Sequence, residues 1–222
     1  SSDLLRTPPF KTTPSQDLRP SKLNRFQTAW QQCKDPEQSQ TTRLSAAQEC
    51  LQSDPDHAGA HYLCGTMLYE DGDSETAIKH LIQARDQDVC PLRATSDIVA
   101  AVRAAKHHPN VLLVDIPTIF DQQNAHSIHL PDGIPEPSWF LDHVHPTIKG
   151  HQMIADRCFE VMQALPWIQS SFDDKRYEIG LTEHLAGLDE TYFARGKQRL
   201  EGLRRWTKGR ASLPLSWGSP KE

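Results

Sequence analysis

Apolar residues recur at helical spacing along most of this chain. From Ser21 to about Cys33, Leu23, Phe26 and Trp30 share one face, which predicts a helix capped by Ser21. A second helix over roughly 39–52 carries Leu44, Ala47 and Leu51, and Asp54-Pro55-Asp56 ends it. Between 58 and 91 the small or apolar positions are Gly65, Leu68, Gly72, Ala77, Leu81 and Ala84. They predict two closely packed helices, about 58–70 and 74–87. Asp71-Gly72-Asp73 is the turn between them, with Gly72 available for a left-handed cap. An alanine-rich helix over 92–108 would turn Ile98, Val99, Val102 and Ala105 inward, until His107-His108-Pro109-Asn110 breaks it.

The pattern changes at Val111-Leu112-Leu113-Val114-Asp115-Ile116, a short continuous run of branched residues. Such a run after a helix and a Pro/Asn turn reads as a buried parallel strand. No second run of that quality is present, so its partner strands are expected outside this chain. Residues 121–141, with Pro131, Asp132-Gly133, Pro135 and Pro137, read as a long irregular loop. A helix follows over 146–165, with Pro146 in its first turn and Ile154, Cys158, Val161 and Leu165 on one face. One or two amphipathic helices over 174–207 carry Leu181, Leu185, Leu188, Tyr192, Phe193, Leu200, Leu203 and Trp206. Pro8, Pro9, Pro14 and Pro20 make 1–20 an extended connector, because each fixes φ and removes a donor. The tail 211–222 reads as loose. The expected class is α/β, mostly helical within this chain. Its parts are a helical block at 21–91, an α/β portion at 92–169 and a helical extension at 170–210.

Composition narrows the function. The net charge is -5 and pI is near 6.1, which argues against a general nucleic-acid binder. The basic run Arg195, Lys197, Arg199, Arg204, Arg205, Lys208 and Arg210 reads as a solvated helix face, since no aromatic platform accompanies it. No apolar run approaches the roughly 18 residues that a membrane helix needs. Cys33, Cys50, Cys64, Cys90 and Cys158 are odd in number and widely spaced, which makes a zinc ribbon or disulfide scaffold a poor fit. Cys50, Cys64 and Cys158 read as small core residues. The chain opens Ser1-Ser2-Asp3, with no basic or apolar leader and no initiator Met, and reads as cut from something longer.

The chemistry is concentrated in Phe140-Leu141-Asp142-His143-Val144-His145-Pro146-Thr147-Ile148-Lys149-Gly150, of pattern D-x-x-H-P-x-x-x-G. Three residues apart in a tight turn before a helix, Asp142 can curl back to one ring nitrogen of His145. That fixes the tautomer and leaves the other nitrogen as a base. Pro146 stiffens the stub, and Gly150 lets the helix lie against its neighbour. Two members of a Ser-His-Asp system would be supplied in this way.

This block resembles the last conserved block of the SGNH (GDSL-type) hydrolases, a three-layer α/β family that cleaves esters, often acyl groups on carbohydrates or lipids. The resemblance implies that His145 is the general base and Asp142 its orienting acid. It also implies that 112–116 is the last strand of that fold and 147–165 its final helix. Residues 58–91 resemble one tetratricopeptide repeat, the 34-residue helical hairpin unit, and 43–55 the second helix of a preceding one. His61 and Cys64 stand where that family prefers Trp and Leu. "IQARDQDVCPLRA" (82–94) is similar to a branch of the hydrolases with such helices inserted before the last strand, a branch often attached to the bacterial envelope through N-terminal elements. The family's nucleophilic Ser block and its Gly and Asn oxyanion blocks are not in this sequence, nor is a G-x-S-x-G elbow. The resemblance therefore implies the C-terminal part of a longer esterase, with an acyl ester as substrate, no cofactor and no activity in this chain alone. The alternative is a non-catalytic module that meets a protein partner through its tetratricopeptide-like helices.

Three further residues are candidates around the pair. His143 would line the cleft. Trp139 would wall it or pack in a core. Arg93 would face substrate or pair with Asp86 or Asp88. His126, His129, His143, His145, His151 and Asp142 also admit a metal reading, but Pro146 and Gly150 are explained by the hydrolase pattern and not by a metal, so no metal is expected.

Overall fold

The structure is a computed structural model that describes residues 4–124, 134, 136–142, 144–166 and 173–211. The described residues are mostly helical and contain no strand; their only sheet-like feature is an isolated antiparallel bridge between Phe140 and Pro146. The chain divides into two compact units, 1–158 and 159–222.

In the first unit, α1 (Pro20–Lys34), α2 (Gln40–Ser53), α3 (Ala58–Glu70) and α4 (Ser74–Asp86) pack in chain order, each on the next. The α1 cap differs from expectation. Helical geometry begins at Pro20, whose fixed φ suits the first position and whose missing N–H costs nothing there, so Ser21 is already inside. Ser39 and Asp73 cap α2 and α4 through their side chains, accepting N–H groups from Thr42 and Thr76. Gly72, at φ +89°, ends α3: its N–H donates to Tyr69 C=O and that of Asp73 to Leu68 C=O. Small residues set the interhelical spacing. A Cβ on Gly65 would stand 2.7 Å from Leu81 Cγ, and Ala77 and Ala84 are fully buried opposite.

One core joins Cys33, Ala46, Ala47, Cys64 and Met67, a second joins Phe26, Ala29, Cys50 and Ala60, and Trp30 packs on both. Burial pushes the thiols of Cys33, Cys50 and Cys64 up to about 11, 12 and 12, so they stay protonated and behave as small apolar groups. All five cysteines are free, and Cys158 is only half-buried.

The segment before α1 is irregular, with Pro8, Pro9 and Pro14 in it, but it is more than a connector. Leu4 is 3 % exposed, packed with Leu81 and Ile134, and the following residues are bonded to side chains far along the sequence. Buried carboxylates that need donors draw the segment onto the helices.

After α4 the expectations diverge further. The helix expected over 92–108 is shorter: α5 spans Ser96–Ala104, extended by a 3-10 turn over Ala105–His107. Ile98 and Val102 are 51 % and 55 % exposed rather than inward. The run 111–115 has no secondary structure, and Val111 and Leu112 are exposed. A strand is defined by its ladder, and Val111 N–H is spent locally on His108 C=O. Asp115 is instead forked to Arg103 of α5, at 2.9 and 3.1 Å, which holds its carboxyl below the usual range. Ile116 opens a helix the pattern had not indicated, α6 (Ile116–Asn124), with Pro117 in its first turn. The α/β portion is thus helical and irregular among the described residues.

Helix α7 (Ile148–Gln163) begins two residues later than expected, because Thr147 caps it: Gly150 N–H donates to Thr147 Oγ1 at 3.1 Å. In the second unit, α8 (Asp174–Ala186) and α9 (Glu190–Ala211) are separate helices. Tyr192 and Phe193 of the anticipated apolar stripe are exposed, and α8 buries none of its residues. Residues 212–222 lie outside the described residues.

Candidate functional site

The site is a loop closed on itself just ahead of α7. Leu141 N–H donates to His145 C=O at 2.8 Å, and Thr147 N–H to Trp139 C=O at 2.9 Å, so the two limbs of 139–147 are tied together. Thr147 Oγ1 donates to Ser138 C=O at 2.8 Å while accepting from Gly150 N–H. Gly150 is required by close approach, since a Cβ there would lie 2.6 Å from Trp139 O and 3.0 Å from Pro146 Cβ. Beneath the loop, Phe120 of α6 is buried against the rings of Trp139 and Phe140, at centroid distances of 5.7 and 5.0 Å.

Within this frame Asp142 and His145 meet. Asp142 Oδ2 lies 2.8 Å from His145 Nδ1, and Oδ1 lies 3.0 Å from it. Oδ1 also accepts the N–H groups of Val144 and His145, at 2.9 and 2.8 Å. Two main-chain donors therefore hold the carboxylate in place, and the imidazole is aligned against it. The side chain of Asp142 is 6 % exposed and that of His145 is 59 % exposed. With Nδ1 engaged on this largely exposed ring, no described residue hydrogen-bonds Nε2. The arrangement can accept a proton at Nε2 and stabilise the imidazolium that results.

The other candidates fall differently. Trp139 is 6 % exposed and is a packing residue under the loop, with Lys149 Nζ 4.3 Å from its ring centroid. Its indole N–H is buried without a hydrogen-bond partner among the described residues. Arg93 is buried at 7 % exposure, while Asp86 pairs with Arg85, and Asp88 accepts main-chain N–H groups. His143, His126 and His129 lie outside the described residues, and among those described no group of three or more His, Cys, Asp or Glu could hold a metal ion. No helix among the described residues is long and apolar enough to cross a membrane.

Sequence reasoning missed Thr147. A Thr immediately before an apolar helical run is a capping signal, and Pro146 beside it carries a competing signal for the first helical turn. No family model, no curated protein and no solved structure gives a match to this chain.

Proposed function

We propose that this chain supplies the general base and its orienting acid to an SGNH-like acyl-ester hydrolase. The observation that carries this reading is the doubly anchored Asp142 carboxylate on His145 Nδ1, with Nε2 bonded by no described residue. In the reaction, Nε2 of His145 takes the proton of a serine hydroxyl as its oxygen attacks the ester carbonyl. The imidazolium, balanced by Asp142, then protonates the departing alkoxide, and water removes the acyl group by the same relay. The serine and the donors that stabilise the oxyanion come from polypeptide outside this chain. The substrate class is an acyl ester, with the alcohol part carried by a carbohydrate or a lipid. In this reading α7 is the last helix of the α/β domain, and the exposed Val111 and Leu112 belong to a surface that the remainder of the domain covers. The stacked helices α1 to α4 are its tetratricopeptide-like insertion.

The test is hydrolysis of short-chain model esters by the parent polypeptide that carries the nucleophile. That parent is expected to turn over, and His145→Ala is expected to abolish the turnover, while this chain by itself stays at background. A parent whose ester hydrolysis is indifferent to His145→Ala refutes the assignment.

A further inference from the structure

The residues that hold the N-terminal segment form a set. Tyr62 Oη donates to Leu5 C=O at 2.8 Å. Asp88 accepts Phe10 N–H at 2.6 Å and Lys11 N–H at 2.9 Å, one on each oxygen, and Val89 N–H returns a bond to Lys11 C=O at 3.1 Å. Gly59 N–H donates to Thr12 Oγ1 at 3.0 Å, and His57 Nε2 lies 3.1 Å from the same oxygen. Asp54 takes Ser15 N–H at 2.9 Å and Ser15 Oγ at 2.6 Å. The receiving groups all come from residues 54–89, and the segment they hold is 4–15.

Three of those receiving side chains are polar and buried: Asp54 and His57 at 2 % exposure, Asp88 at 8 %. Buried carboxylates are costly unless donors reach them, and much of what reaches these two is the main chain of an irregular segment. Main-chain recognition is indifferent to most side chains. Selectivity rests on Leu4, sunk beside Leu81 and Ile134, and on the hydroxyls of Thr12 and Ser15. This is the anatomy of a peptide site: an apolar anchor, paired main-chain bonds and two polar contacts further on.

We propose that the face built by Asp54, His57, Gly59, Tyr62 and Asp88 is a binding site for a non-helical peptide, and that residues 4–15 are its ligand, held in cis and releasable without unfolding the helices. The ligand class is a non-helical polypeptide segment of pattern L-x7-T-x2-S. Another peptide reaches the site only when the strap has left it, so the resting chain is closed to competitors by the fraction of time the strap is bound. The site is separate from the Asp142–His145 loop, and its test does not depend on ester hydrolysis.

Two measurements on the full chain decide it. In native-state hydrogen exchange, the amides of Phe10, Lys11 and Ser15 are expected to exchange together, through an opening that leaves the amides of α3 and α4 protected. Exchange of these three only with global unfolding overturns the proposal, because the strap is then an integral part of the fold. In the second measurement a labelled synthetic peptide of residues 4–18 is titrated against wild type and against Leu4→Asp/Ser15→Pro, which weakens the strap and leaves the receiving face intact. The folded double variant is expected to bind the peptide at least about tenfold more tightly than wild type, because its site is open more of the time. Adding Asp88→Asn, which sets an amide NH2 against a main-chain N–H, is expected to remove that gain. A folded double variant that does not bind the peptide overturns the proposal, and if the double variant does not fold, the exchange experiment on wild type stands alone as the test.

Discussion

Asp142→Asn in the nucleophile-bearing parent is expected to lower kcat by roughly 10^2- to 10^4-fold with little change in KM, the range that loss of an orienting acid produces in relays of this type. The reason is specific to the loop. Asp142 Oδ1 is committed to the N–H groups of Val144 and His145, and a carboxylate can serve them while Oδ2 receives the Nδ1 proton. An amide has one oxygen. If that oxygen keeps the two main-chain donors, the NH2 group faces Nδ1 and turns the imidazole into the opposite tautomer, with its proton on Nε2, where it cannot act as a base. The loop survives the substitution and the relay does not. Steady-state kinetics on a short-chain ester check this, and an unchanged kcat in Asp142→Asn would show that the carboxylate does not orient a catalytic imidazole.

Acid is expected to begin destabilising the first unit at a pH above that at which carboxylates titrate. His57 caps α3, its Nδ1 accepting Ala60 N–H at 3.0 Å, and its ring packs against those of Phe26 and Trp30 at centroid distances of 4.6 and 4.8 Å. Burial drives its pKa down to about 4 from an ordinary 6.5; the neighbouring Asp54 opposes the shift, and His61 and Lys34 add to it. The folded value lies below the unfolded one, so the unfolded chain takes up the proton first. The stability contributed by neutral His57 is fully present above pH 6.5 and is lost as the pH falls through 4, a change of about 3 kcal/mol. His61 and His80 act in the same direction. Their Nδ1 atoms lie 2.9 Å apart, His61 Nε2 faces Pro55 C=O at 2.8 Å, and burial lowers both values. One proton suits the space between the two rings and a second opposes it. Chemical denaturation at pH 7 and pH 4.5 reads the loss. A midpoint that is flat across this window, or a drop of equal size in His57→Asn, would contradict it.

Local signals were legible in the residues, and distant ones were not. The limits of α2, α3 and α4 follow from Ser39, Asp73 and Gly72, each of which acts within a few positions of itself. The Asp142–His145 pair was readable for the same reason: the partners are three residues apart, and the turn between them leaves the carboxylate few alternatives. The strap over residues 4–15 is the reverse case. Its partners Asp54 and Asp88 lie 39 and 78 residues away, and nothing in a proline-rich stretch marks which carboxylates will collect its N–H groups. The run 111–116 misled because branched residues report a preference for extended backbone, whereas a strand also needs a neighbour to complete its ladder. The stripe of Ile98 and Val102 misled in a related way, because periodicity marks a face able to be buried and is silent about what covers it. Trp139 had two readings from its position beside the motif, and burial beside Phe120 decided for packing.

The claim that carries the functional reading is that Asp142 fixes the proton of His145 on Nδ1. Long-range proton–nitrogen NMR spectra of the imidazole in this chain, recorded at a pH where the ring is neutral, measure it directly. The expected spectrum has a protonated Nδ1 and a bare Nε2, and Asp142→Asn moves the proton to Nε2. A ring with its proton on Nε2 in the wild type, or a tautomer unchanged by Asp142→Asn, contradicts the relay.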